Sequence, residues 1–203
     1  MRIITISREF GSGGRELGKR LADILGYDYY DREIISQIAS ENNLDEKYVE
    51  GNEKIHFQNI PITFRHSFSM LPMYQTSTKL LIEEKKVIEK IVERGRDFII
   101  VGRNADVLLK DLKPLNIFVC ASMEAKVKRC LERASVDEKL SYKEIEKNIK
   151  IIDKNRSLSR EILSNSKWGD RENYHLTINT TDWNIKELAE VVANFVNSWF
   201  GVK

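Results

Sequence analysis

The chain has 203 residues, 41% of them hydrophobic and 32% charged, the proportions of a compact globular domain rather than a disordered one. Its 33 basic and 31 acidic residues leave a formal net charge of +2, which argues against nucleic acid as the main partner yet permits a local basic pocket. No apolar run reaches the roughly 20 residues of a membrane span, no secretory leader is expected, and Cys120 and Cys130 match neither a disulfide framework nor a metal motif, so a cytoplasmic protein with reduced thiols is expected.

Arg2 to Ser7 is rich in β-branched residues and reads as a first strand. Gly11 to Gly14 interrupt it, and Glu16 to Leu25 then carry helical periodicity through Leu17, Leu21, Ile24 and Leu25, with Gly26 as the stop. Tyr27 to Tyr30 is a short strand, and Asp31 stands where a helix N-cap belongs, ahead of Ile34, Ile35 and Ile38. Gly51 to Thr76 shows no regular pattern; it contains Pro61, Pro72, His56 and His66 and reads as irregular structure or short helices over a cleft. Ser77 to Arg94 is helical, and Asp97 to Val101 is a continuous apolar run of the kind buried on both faces of a sheet. Leu115 to Cys120 is another strand, Met123 to Ala134 a helix, and Ser141 to about Ser164 a long charged helix. Leu176 to Asn179 and Ile185 to Trp199 give a last strand and an amphipathic helix. Strands alternating with helices predict an α/β domain with a mostly parallel sheet covered on both faces.

The stretch Gly11-Ser12-Gly13-Gly14-Arg15 lies between a buried strand and a helix. Small residues there let backbone N–H groups turn inward around an anion, and the helix N-terminus adds the positive end of its dipole. Arg15 at the first turn supplies a cation, and Arg8 at the strand end lies on the same side of the sheet. The standard pattern G-x-x-x-x-G-K-[ST] is not met: Glu9 replaces the first glycine, Arg15 the lysine and Glu16 the hydroxyl residue.

The run Ile4 to Glu16, followed by Tyr30-Asp31-Arg32-Glu33-Ile34-Ile35, resembles the cytidylate kinase-like family of P-loop proteins. The resemblance continues in Ile99 to Asp106, in Ile152-Asp153-Lys154-Asn155-Arg156, in Lys167-Trp168-Gly169-Asp170 and in Tyr174 to Thr180, and so covers nearly the whole chain in order. It implies a P-loop fold with a five-stranded parallel sheet, as in nucleoside monophosphate kinases. The chain would be one domain over residues 1–203, with an acceptor-binding region at 31–76 and a lid-like helical region at 135–165.

The resemblance also implies roles. Gly11, Ser12, Gly13, Gly14, Arg15 and Glu16 would hold the phosphates of ATP, with Arg129 and Arg133 facing the donor nucleotide. Arg8, Asp31, Arg32, Arg103, Asp153 and Arg160 would bind the acceptor. Arg15, Arg103, Lys154 and Arg156 would act on the transferring phosphoryl group. Magnesium normally needs a loop hydroxyl and an acid near the central strand. Glu16 stands in the hydroxyl position and becomes the candidate ligand, while Val101 and Asn104 replace the two aspartates of cytidylate kinases. His56, His66 and His175 have no spacing that suggests a metal or triad, and Trp168 reads as a packing residue. The reading that follows is an ATP- and Mg²⁺-dependent phosphotransferase for a nucleoside monophosphate such as CMP, working on small molecules, away from membranes and nucleic acid. Its alternatives are a P-loop kinase for another small metabolite and a nucleotide-binding regulator with weak or no catalysis. Oligomeric state is left open.

Overall fold

The computed structural model describes residues 1–31, 34, 35, 78–134 and 141–202. Five strands form one parallel sheet: β1 (Ile3–Arg8), β2 (Asp28–Tyr30), β3 (Phe98–Val101), β4 (Leu115–Cys120) and β5 (Leu176–Asn179), in the order β2-β3-β1-β4-β5. Ile4 of β1 lies opposite Ile99 of β3 and Leu115 of β4, so the central strand is flanked by apolar neighbours on both sides. The helices are α1 (Gly14–Leu25), α2 (Thr78–Glu93), α3 (Ala105–Leu108), α4 (Met123–Arg133), α5 (Tyr142–Leu163) and α6 (Ile185–Trp199).

Alternation along the strands divides the core. Ile4, Ile6, Ile99, Val101, Ile117 and Val119 face α1 and α6, whereas Ile3, Phe98 and Ile100 face α2 and α3. Gly18 lets α1 approach the sheet closely, since a Cβ there would lie 2.7 Å from Cγ2 of Val101. A third cluster joins Val127 and Cys130 of α4 to Ile145, Ile149 and Ile152 of α5. α5 opens with a capping box in which Ser141 and Glu144 cap each other's backbone.

Among the described residues the strands and helices follow the sequence expectations within a residue or two, and α3 and two short 3₁₀ turns, Lys110–Leu112 and Arg171–Asn173, are added. The region expected to act as a lid is, over its described part, a long helix docked on the body of the domain by its apolar stripe and by buried polar contacts. Arg32 and the expected irregular segment Gly51 to Thr76 lie outside the described residues, as do His56 and His66. His175 has a structural role: its Nδ1 accepts from the Asn116 N–H at 2.9 Å, and its ring packs on Trp199. Trp168 packs edge-on against Phe118.

Candidate active site

The carboxyl ends of β1, β3, β4 and β5 face one edge of the sheet. The order of strands reverses around β1, and that is where open α/β sheets bind their ligands. The loop leaving β1 is held in shape by its glycines. Gly11 and Gly13 have φ of +77° and +83°, the left-handed region that L side chains avoid. Gly13 is the N-cap of α1 and provides no side-chain cap to it, so the first turn of this 12-residue helix presents main-chain N–H groups to the loop. Loop and helix terminus together fit a polyphosphate chain.

Three predicted arginines come together beside this loop. The guanidinium of Arg8 lies over Gly102, whose added Cβ would be 1.8 Å from Nη1. Residues 102–104 all have positive φ, +81° at Gly102, +59° at Arg103 and +49° at Asn104, and this folds the turn after β3 back towards β1. Burial lowers the Arg8 pKa well below its ordinary value, and the charges of Arg156 and Arg103 push it further the same way. Asp153 acts on Arg8 in the opposite sense. Arg8 thus lies between two further cations beside the loop, a positive setting that favours an anion.

Arg156 also reaches the loop directly. Its Nη1 donates to the Arg8 carbonyl at 2.9 Å and to Asp153 Oδ1 at 3.1 Å, and its guanidinium lies over the Phe10 ring. Asp153 Oδ1 accepts the Phe10 N–H at 2.7 Å. Burial raises the pKa of Asp153 against the opposing effect of Arg156. Asp153 is therefore a loop anchor in this structure rather than an expected contact of the acceptor.

Arg15 points sideways. Its Nε and Nη2 both donate to Asp31 Oδ2 at 2.9 Å. Asp31, nearly buried at the end of β2, also accepts from the Tyr29 hydroxyl and, as the expected N-cap, from the Ile34 N–H. A cavity of about 500 Å³ opens here, lined by Arg15, Glu16, Lys19, Tyr29, Asp31, Ile34 and Arg133.

Several expected residues do other work. Glu16 Oε1 accepts from Arg20 and Oε2 from Arg133 at 2.5 Å, so both oxygens of the expected magnesium ligand are held by guanidiniums. Among the described residues no group of three or more His, Cys, Asp or Glu is placed to hold a metal ion. Held in this way, the Glu16 carboxylate does not fit the role of a magnesium ligand. Arg133 is thereby committed to Glu16. Arg129 donates to the Thr180 hydroxyl and to the carbonyls of Thr180 and Trp183, which ties α4 to the loop after β5. Lys154 is exposed on α5. Arg160 corrects the expectation most clearly: it is buried in an ion pair with Asp106, bonds Ser166 through Nε, and cannot meet an acceptor.

Lys126 and Thr180 were not expected. Thr180 is fully buried and donates to the Ser12 carbonyl at 2.6 Å, fixing the middle of the loop. Lys126 is nearly buried and pairs with Glu9 at 3.0 Å and Asp153 at 3.6 Å. A signal for it existed: it shares the stripe of α4 with Met123, Val127 and Cys130, where a solvated lysine has no place.

The sequence profile described as the cytidylate kinase-like family matches residues 3–182. No curated protein matches the chain. Among solved structures, an uncharacterized protein from Eubacterium ventriosum is 24% identical with a TM-score of 0.71, the alignment covering 98% of this chain and 99% of that one. Shikimate kinase from Bacteroides thetaiotaomicron is 12% identical with a TM-score of 0.57, covering 98% of each chain. Shikimate kinase from Acinetobacter baumannii, in complex with shikimate, is 16% identical with a TM-score of 0.51, covering 98% of this chain and 94% of that one. These likenesses concern the fold.

Proposed function

The chain belongs to the cytidylate kinase-like family and has the P-loop kinase fold, and on that premise we propose that it is an ATP-dependent phosphotransferase whose acceptor is a nucleoside monophosphate such as CMP. The observation that carries this reading is the placing of Arg8 over the turn after β3, close to both Arg103 and Arg156 and beside the glycine loop. One anion site is formed by backbone N–H groups and the other by guanidiniums, as a transfer between two phosphates requires.

In this reading Gly11 to Gly14 and the first turn of α1 hold the ATP phosphates. Arg8 and Arg103 grip the acceptor phosphate. Arg156, fixed by Asp153 and the Arg8 carbonyl, neutralises charge as the phosphoryl group moves, and α5 above the loop keeps water out. Arg15 keeps its cation at the loop while anchored on Asp31. Magnesium would enter with the nucleotide, held mainly by its phosphates. The substrates are small molecules. Among the described residues no helix is long and apolar enough to cross a membrane, in keeping with a proposed cytoplasmic enzyme.

A second reading keeps the fold and ATP and changes the acceptor to a hydroxylated metabolite. It is favoured by the cavity beside Asp31, whose lining carries a carboxylate and the Tyr29 hydroxyl, bonded to each other, as groups of the kind that bind substrate hydroxyls. A third, a nucleotide-binding regulator, is favoured by the poor fit of the acids to magnesium.

The test is ADP release from Mg-ATP in the presence of CMP, UMP, AMP, GMP or shikimate, for the native protein and Arg103→Ala. Turnover of a monophosphate that the variant loses supports the lead. Turnover of shikimate alone supports the second reading, ATP binding without turnover the third, and no ATP binding defeats all three.

A further inference from the structure

A half-buried chain of alternating charges, with Lys126 its buried member, runs beneath the glycine loop. Glu9 Oε2 accepts from the Ala121 N–H at 3.2 Å and from Lys126 Nζ at 3.0 Å. Lys126 lies 3.6 Å from Asp153 Oδ2, and Asp153 Oδ1 receives both the Phe10 N–H and Arg156. Arg156 closes the chain on the Arg8 carbonyl. Gly11 rests on the same helix: an added Cβ would be 2.9 Å from the Lys126 carbonyl and 3.0 Å from its Cβ. Four successive loop residues, 8 to 11, are thus held by this one assembly from α4 and α5.

Lys126 is its centre. It lies in the first turns of α4, where the positive end of the helix dipole opposes a buried cation, so its position there requires the two carboxylates that face it. Conversely, Glu9 and Asp153 are close enough for Glu9 to push the Asp153 pKa upwards, and Lys126 is the cation between them. Remove its charge and two carboxylates face each other at the edge of a cradle that has to accept a polyphosphate.

We propose that Lys126 is a positioning residue of the phosphate loop: by neutralising Glu9 and Asp153 together it fixes the loop backbone from Arg8 to Gly11 and keeps the cradle electrostatically open to the donor nucleotide. Glu9, which replaces the first glycine of the usual loop pattern, is then the anchor of a different loop support rather than the loss of one. The effect on nucleotide rests on reading this loop as the donor site; the effect on the loop backbone does not.

The test compares the native protein with Lys126→Met, Glu9→Gln/Lys126→Met and Asp153→Asn, using two measurements. The first is amide hydrogen exchange at Phe10 and Gly11 without ligand, with thermal melting as the folding control. Exchange at these amides is expected to quicken at least tenfold in Lys126→Met and Asp153→Asn, and to return most of the way in the double variant, which removes one negative charge together with the positive one. The second is calorimetric titration with Mg-ATP. Lys126→Met is expected to bind at least tenfold more weakly at pH 7.5 and to regain affinity in the double variant.

Unchanged exchange in both Lys126→Met and Asp153→Asn overturns the proposal, as does a double variant no better than Lys126→Met in either measurement. If Lys126→Met does not fold, Asp153→Asn decides by exchange at Phe10. If the native protein binds no Mg-ATP, the donor reading falls while the exchange result still judges the loop support.

Discussion

Arg160 of α5 and Asp106 of α3 form a buried ion pair whose side chains are 4% and 2% exposed. The pair pins the long helix to the turn after β3, the turn that carries Gly102 and Arg103, and Asn104 adds a bond to Ser159 at 3.0 Å. Among the described residues Asp106 Oδ1 has no hydrogen-bond partner, so the carboxylate depends on its arginine. Removing one member of a buried pair strands the other charge, at a cost of about 3–5 kcal/mol. Arg160→Met is therefore expected to lower unfolding free energy by about that amount, and Arg160→Met/Asp106→Leu by clearly less. Urea denaturation of the two variants checks this; equal losses would mean that the stranded carboxylate is not the cause.

The Arg15–Asp31 pair predicts that arginine is not interchangeable with lysine in this loop. A guanidinium reaches one carboxylate oxygen with two nitrogens, and an ammonium cannot reproduce that fork. Arg15→Lys is expected to reduce kcat/KM about tenfold, as the loss of about 1.5 kcal/mol from a charge-assisted bond implies. Asp31→Asn is expected to act in the same direction through Arg15. Arg15→Ala removes the cation outright, and about 10²–10³ in kcat is expected to go with it. Steady-state kinetics with the acceptor found by the panel gives all three values.

Local pattern carried much of this molecule. β4 and α6 run between the residues that their apolar periodicity marks, because a buried strand and an amphipathic helix are written in consecutive residues. The placing of the glycine loop after β1 was equally legible. The charged side chains were not. Arg160 sits in a helix rich in Lys and Glu, and its partner is 54 residues away. Lys126 meets Glu9 across 117 residues. Helical spacing reports only neighbours on the same helix, so it offered solvated partners where packing of α5 and α4 on the loop supplies buried ones. Glu16 misled for the same reason: Arg133, which occupies one of its oxygens, is also 117 residues distant.

Gly102 offers a way to separate catalysis from stability. Its φ of +81° makes Gly102→Ala cost about 1–2 kcal/mol in backbone strain. The added methyl meets the far end of the flexible Arg8 side chain, which moves aside without unfolding anything. Arg8 is then displaced from the arginine cluster. Gly102→Ala is expected to lose at least tenfold in kcat/KM while melting only a few degrees lower, about what 1–2 kcal/mol brings in a domain of this size. Gly26→Ala, with φ of +67° and open space around its Cβ, is the control: a comparable fall in melting temperature with kcat/KM unchanged.

Two buried or half-buried aspartates shift in opposite directions and give opposite pH dependences. At Asp97 burial alone favours the neutral form, but the backbone N–H and guanidinium of Arg2, with the N-terminal ammonium 4.0 Å away, hold the folded pKa below its ordinary 3.8. A depressed acid contributes stability that is present above the unfolded pKa and disappears as pH falls through the folded one. At Asp153 burial wins over Arg156, Phe10 N–H and Lys126, and the folded pKa lies above 3.8. The folded state then binds the proton more readily, so stability falls as pH rises from the unfolded pKa through the folded one. Asp97→Asn is expected to lower stability by about 1 kcal/mol at pH 7 and to flatten the loss below pH 4. Asp153→Asn is expected to flatten the decline on the other side, above the unfolded pKa. Unfolding free energies by urea between pH 3 and pH 7 separate the two limbs, and a steeper acid loss in Asp97→Asn than in the native protein would contradict the assignment of that limb to the Arg2 pair.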